Sequence, residues 1–146
     1  MFYGEHEHTI DRKGRLIIPS RFREAMKEHY ADRFVVTRGL DRCLFLFPEQ
    51  EWKTQENKFR ALSFTSQEAR RFNRFFFSGA AELTCDRQGR VLIPLYLKDY
   101  ATIKRDVILV GVSNRIEIWD KDEWKKFYDQ FKESYEQVAE KLFPSP

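Results

Sequence analysis

The chain has 146 residues, 42% hydrophobic and 34% charged, enough apolar material for one ordinary domain or two small fused ones. Its 26 basic and 23 acidic side chains leave a net charge of +3, so bulk charge alone does not establish a polyanionic partner and the distribution of charge must decide. Two cysteines are too few for a disulfide framework, and no apolar run approaches the roughly 20 residues of a membrane helix. The start, MFYGEHEHTI, lacks the basic and apolar regions of a signal peptide, so a reducing cytoplasm is the expected location.

The strongest internal signal is a repeat. Residues 9–19 read TIDRKGRLIIP and residues 84–94 read TCDRQGRVLIP, an offset of 75 with seven of eleven positions identical. Gly4 and Gly79 match at the same offset. Downstream, 34–52 aligns with 106–124 at an offset of 72, which lays Gly39 on Gly111, Leu44 on Ile116 and Trp52 on Trp124. Chance is a poor account of this pattern, and duplication is a direct one.

In chain order, each copy predicts the same elements. A strand runs into Asp-Arg-x-Gly, a turn in which glycine supplies a positive φ. A short strand follows (15–18, 90–93) and stops at Pro19 or Pro94, residues suited to the first turn of a helix. A helix comes next, over 20–29 in the first copy and 95–100 in the second. Two strands then flank a second turn: 34–38 and 43–47 around 39–42, and 106–111 and 116–119 around 113–115. Pro48 is placed to open a helix, Thr65-x-x-Glu68 reads as a capping box for another, and Asp120-x-x-Glu123 resembles the same device. Trp124, Phe127, Tyr128, Phe131, Tyr135, Val138 and Leu142 fall on one stripe of a final helix over 121–142. The fold class is α+β. The modules span 1–64 (core 5–47, then helix) and 65–146 (helix 66–77, core 78–121, C-terminal helix). One such module is too small to bury its own sheet, so the two are expected to interleave about a pseudo-twofold axis.

The candidate chemistry lies in the turns Asp11-Arg12-Lys13-Gly14-Arg15 and Asp86-Arg87-Gln88-Gly89-Arg90. Asp11, Gly14, Asp86 and Gly89 would shape the turns. That geometry does not require Arg15 and Arg90, or Arg12 and Arg87, yet arginine stands at every one of those places. A guanidinium grips guanine or phosphate with two parallel bonds, and a two-stranded ribbon fits a major groove. Lys13 would be a looser phosphate contact. The bland alternative is a pair of solvated hairpin turns. The first copy is the more basic: Arg12, Lys13, Arg15, Arg21 and Arg23 stand against Asp11, whereas the second has Arg87, Arg90 and Lys98 against Asp86. Gln88 replaces Lys13 and Tyr96 replaces Arg21.

Weaker candidates accompany these. Arg70, Arg71 and Arg74 could form a basic strip or a solvated helix face, and the nearby Phe72, Phe75, Phe76 and Phe77 could serve core or subunit contact. His6 and His8 alternate on one strand face but lack evident further ligands, so no metal is expected; His29 stands alone. Cys43 and Cys85 read as buried small residues without a catalytic base. No P-loop, GxSxG, HExxH or dinucleotide motif is present, so no enzyme, cofactor or small-molecule substrate is expected.

FYGEHEHTIDRKGRLIIPSRFR and GAAELTCDRQGRVLIP closely resemble the MraZ family, bacterial transcriptional regulators of the AbrB-like swapped-hairpin superfamily. The resemblance implies two tandem AbrB-like modules forming one β-barrel-like domain with flanking helices. It implies ring-shaped homo-oligomers that bind repeated boxes of double-stranded promoter DNA upstream of the division and cell-wall genes, and a nucleoid-associated location. Asp11 with Arg15 and Asp86 with Arg90 match the family's two Asp-x-x-x-Arg turns, in which the arginine reads DNA. An antitoxin-like protein-interaction module of the same fold is the alternative.

Overall fold

The computed structural model describes residues 1–27 and 33–146. The first copy contains β1 (Phe2–Thr9), β2 (Arg15–Ile17), α1 (Ser20–Lys27), β3 (Arg33–Arg38), β4 (Leu44–Pro48) and α2 (Glu49–Arg60), and α3 (Gln67–Ser78) leads into the second. The second contains β5 (Ala81–Thr84), β6 (Arg90–Leu92), α4 (Leu95–Tyr100), β7 (Asp106–Ser113) and β8 (Arg115–Asp120), then α5 (Lys121–Phe131) and α6 (Tyr135–Leu142). The expected end of the first helix, and His29 with it, lie outside the described residues.

The copies interleave. The large sheet has the order β1-β7-β8-β4-β3-β5, and β2 pairs with β6 in a separate two-stranded ribbon. Each copy's first strand therefore pairs with the other copy's third strand. The order reads the same from either end once copies are exchanged, which is the mark of a pseudo-twofold axis. That axis passes where equivalent residues face each other: Leu16 opposite Val91 in the ribbon and Phe45 opposite Glu117 in the sheet.

One part of the sequence alignment needs correction. In β4 and β8 the offset of 72 holds, with the inward Leu44 and Leu46 matching Ile116 and Ile118. In β3 the inward residues are Phe34 and Val36, and in β7 they are Val107 and Leu109, an offset of 73. Strand pairing agrees, since Phe34 faces Pro48 and Val107 faces Asp120. A one-residue slip reverses every side chain's face, so burial settles the register. The first copy's β3–β4 turn holds one more residue, and the match of Gly39 with Gly111 is not a structural equivalence.

The main core lies between sheet, ribbon, α1 and α4, with Leu16, Ile18, Phe22, Leu46, Leu97 and Ile118 essentially inaccessible. On the outer face of the sheet, Trp52 of α2 stacks on Phe76 of α3, with Phe59, Phe72 and Phe77 around them. Most of the phenylalanine-rich segment is thus intramolecular, while Phe75 stays exposed. Trp119, Trp124 and Phe127 join α5 to the other half of that face.

Two helix boundaries depart from expectation. The cap of α3 is Ser66, whose side chain accepts from the Ala69 N–H at 3.3 Å; the Thr65 hydroxyl is engaged by Ser63 at 2.7 Å. Asp120 caps α5 as expected, accepting from the Asp122 and Glu123 N–H groups. The final helix is broken, however. Ser134 donates both its N–H (2.9 Å) and its hydroxyl (3.2 Å) to the Phe131 carbonyl, a local bond that competes with helix continuation. The apolar stripe survives the break, since Phe131 and Tyr135 keep an edge contact.

The ribbon has only three residues per strand, and it is extended at both ends through the turns. The Ile93 N–H donates to the Gly14 carbonyl at 2.7 Å, and the Ile18 N–H donates to the Gly89 carbonyl at 2.9 Å. Gly14 has φ +92° and Gly89 φ +79°. A Cβ on Gly14 would drive into the Ile93 backbone carbonyl, whereas one on Gly89 would meet the Arg23 guanidinium, a movable group. Gly89→Ala is therefore expected to cost about 1–2 kcal/mol from the left-handed backbone alone, and Gly14→Ala at least about twice that, because the Ile93 backbone, whose N–H makes the stitch, must also shift. Urea denaturation of the two variants compares them; equal losses would contradict the difference.

Candidate nucleic-acid interface

The two Asp-Arg-x-Gly-Arg segments fold into turns with the same hydrogen-bond pattern. In the first, the Asp11 N–H donates to the Arg15 carbonyl (3.2 Å) and the Gly14 N–H to the Asp11 carbonyl (3.0 Å). The Asp11 Oδ1 accepts from the Lys13 and Arg15 N–H groups, both at 2.9 Å, and its Oδ2 accepts from the Arg15 Nε at 2.6 Å. In the second, Asp86 Oδ1 accepts from the Gln88 and Arg90 N–H groups at 2.9 Å, and Oδ2 from the Arg90 Nε at 2.9 Å. The aspartates shape the turns as expected. They also hold the arginines, a role that spacing alone did not reveal.

These bonds have an electrostatic signature. The Arg15 backbone N–H, followed by the Arg15 side chain, holds the Asp11 carboxyl below its ordinary range, and Arg90 does the same to Asp86. A carboxylate with a depressed pKa supports the fold above its unfolded pKa and loses that support as pH falls through the folded one. The clamps are therefore intact at neutral pH. The ion pairs themselves are exposed and contribute little stability; their effect is orientation. With Nε committed, the terminal nitrogens of Arg15 and Arg90 have no partner among the described residues.

The ribbon decides which way these groups face. Alternation buries Leu16 and Val91 and turns Arg15, Ile17, Arg90 and Leu92 outward. Arg15 lies opposite Leu92, and Ile17 opposite Arg90. The two arginines thus occupy a diagonal, two residues along and one strand across, about 8 Å apart at the backbone by ordinary strand spacing. The other diagonal holds Ile17, 43% exposed, and Leu92, 56% exposed. Sequence reading missed this apolar pair, although strand alternation about Leu16 and Val91 carried the signal. Arg12 and Lys13 stand exposed at one turn tip, Arg87 and Gln88 at the other.

The tally of basic residues changes on the structure. Arg23 donates from its Nε to the Ile18 carbonyl at 2.9 Å, and its guanidinium lies against Gly89. Its equivalent Lys98 is only 8% exposed. Neither is a solvated surface cation. Tyr96, which replaces Arg21, donates its hydroxyl to the Gly79 carbonyl.

The remaining candidates resolve differently. Arg70 donates to the Phe64 and Thr65 carbonyls and closes the turn before α3. His6 packs edge-on against Phe22 with ring centroids 4.8 Å apart, and burial lowers the His8 pKa, helped by the neighbouring His6. Among the described residues no three metal-ligating side chains gather. The Cys43 thiol donates to the Leu40 carbonyl, and burial pushes its pKa up, far from a nucleophile's. No described helix is long and apolar enough to cross a membrane.

Comparison with known proteins agrees with this architecture. The family model described as "MraZ protein, putative antitoxin-like" matches twice, over residues 1–75 and 76–144. The chain is 53% identical over 142 residues to a protein of Pelotomaculum thermopropionicum named Transcriptional regulator MraZ, covering 97% of this chain and 95% of that one. It is 51% identical to the protein of that name from Desulforamulus reducens, covering 97% of each chain, and 54% identical to that of Desulfitobacterium hafniense strain DCB-2, covering 97% and 96%. The chain belongs to the MraZ family of transcriptional regulators.

Proposed function

We propose that the chain regulates transcription by binding double-stranded promoter DNA with the outer face of the β2–β6 ribbon. The observation that carries this reading is the diagonal pair Arg15 and Arg90, each clamped through Nε by its own turn aspartate with its outer nitrogens free. A guanidinium held this way has lost rotamer freedom before binding, so a bidentate bond to a guanine edge costs less ordering. Ile17 and Leu92 between them suit thymine methyl groups, the apolar feature of the major groove. Arg12, Lys13 and Arg87 at the tips would meet phosphates, which position a protein without carrying sequence information.

One ribbon offers few base contacts, so affinity for repeated boxes would come from several chains acting together. Phe75, Tyr128, Tyr135 and Leu142 are large apolar side chains left 51–68% exposed on α3, α5 and α6, and these surfaces suit contact between copies in a ring. The targets proposed are the division and cell-wall genes that the sequence resemblance implies. The words "antitoxin-like" favour a second reading, in which the same exposed helices hold a different protein; a partner that co-purifies and displaces DNA would support it.

Binding to the chain's own upstream DNA is expected to exceed binding to scrambled DNA and to weaken steeply with salt, log affinity falling by about 0.9 per phosphate contacted. Fluorescence anisotropy across a salt series measures both, and equal affinity for the two DNAs overturns sequence-specific reading. In the same assay, Arg15→Ala should cost about 1–3 kcal/mol for the preferred sequence, and Arg90→Ala less, because Lys13 supports the first turn where Gln88 stands in the second. Equal losses would contradict the asymmetry.

A further inference from the structure

The two ends of the ribbon differ in more than their turns. Beside the first turn lies a cleft of about 500 Å³ whose walls include Arg12, Lys98, Lys104 and Arg105. The one carboxylate in its lining is Asp11, and its oxygens are already taken by Lys13 and Arg15. Arg12, Lys104 and Arg105 form no ion pair among the described residues. The cleft is rigidly built: the Ile10 N–H donates to the Arg105 carbonyl at 2.8 Å, and the Ile103 N–H donates to the Lys98 carbonyl at 3.0 Å across the left-handed Thr102.

Lys98 is the unusual member. Its side chain is buried, yet among the described residues its ammonium makes one long hydrogen bond, 3.4 Å, to the Asp11 carbonyl. An ammonium has three hydrogens to donate, and this one lines the cleft with a single long bond among the described residues. An anion in the cleft would supply the missing acceptors.

The opposite end is built otherwise. Lys98 is matched there by Arg23, whose Nε already has its carbonyl. A cleft beside β5, the strand that leads into the second turn, is lined by Arg33 with Glu49 and Glu82. Glu49 is the counterpart of Lys121, which on the first side pairs with Glu7. The cleft beside the first turn is thus lined by four cations and one engaged carboxylate, whereas the one beside β5 mixes Arg33 with Glu49 and Glu82.

We infer that the cleft formed by Arg12, Lys98, Lys104 and Arg105 is a phosphate site, one per chain and confined to the end that carries the first turn. Resting on the DNA-binding reading above, its phosphate is a backbone phosphodiester flanking the base contacted by Arg15, which fixes the polarity of the pseudo-symmetric ribbon on its DNA. A free phosphate group has the same chemistry and is the other possible source.

The test uses the full chain and the double variant Lys104→Gln/Arg105→Gln, both exposed positions, with Arg33→Gln/Lys53→Gln as an equal change of charge elsewhere. Affinity for upstream and scrambled DNA is measured across salt, and broadening of the phosphorus-NMR line of inorganic phosphate is measured without DNA. The expected result is a salt dependence shallower by about 0.9 in the cleft variant, with preference for upstream DNA retained, and phosphate broadening lost in that variant only. Lost broadening with an unchanged salt slope assigns the cleft to free phosphate and overturns the DNA source. If the wild-type chain binds no DNA but still broadens phosphate through these residues, the function proposed above fails and the cleft stands. No difference between cleft and control variants in either arm overturns the site.

Discussion

The structure depends on a pairing three residues long. β2 and β6 come from different copies of the repeat, meet at Leu16 and Val91, and are stitched at each end by a bond between a turn carbonyl and the strand beyond it. Isolated two-stranded ribbons are marginal in water. This one persists because its inner face closes the main core, with Leu16 inaccessible and Val91 nearly so. Each stitch needs a glycine with positive φ, and that glycine sits inside the turn that clamps the arginine. Core closure, copy exchange and the orientation of Arg15 and Arg90 are therefore one arrangement.

This coupling explains why the repeat matters to function. A single module would leave its ribbon strand unpaired and its turn unanchored. Exchange of strands gives each turn a partner from the other copy: Gly14 is held by Ile93, and Gly89 by Ile18 and Arg23. The result is two arginines in fixed relation, where a free loop would present two mobile ones. Preorganisation of that kind limits the entropy lost on binding. The two copies also differ in the charges near their turns, with Lys104 and Arg105 beside the first and Arg33, Glu49 and Glu82 beside β5.

Much of this was legible in the residues. Asp11, Gly14 and Arg15 recur at Asp86, Gly89 and Arg90, and the predicted strands of both copies appear close to where pattern and punctuation put them. What stayed hidden was set by tertiary contact. The glycine match at 39 and 111 suggested one register, and burial of Phe34 and Val107 imposed another. Arg23 and Lys98 read as surface cations because a helix sequence does not state what its neighbours leave unsatisfied. The final helix looked continuous because the stripe keeps its spacing through the break, while Ser134 acts through a local bond that periodicity cannot register. Ile17 and Leu92 passed without notice, because exposed apolar residues on a strand make sense only once the ribbon's outer face is known.

That outer face is the central claim, and side-chain oxidation measures it most directly. Hydroxyl-radical footprinting of the full chain, free and saturated with its upstream DNA, reports the exposure of individual residues. Ile17 and Leu92 are open in the free protein, so their oxidation should fall sharply in the complex while that of Tyr135 and Leu142 on α6 does not. Unchanged oxidation of Ile17 and Leu92 in a chain that is demonstrably bound to DNA would place the contact elsewhere and contradict the account.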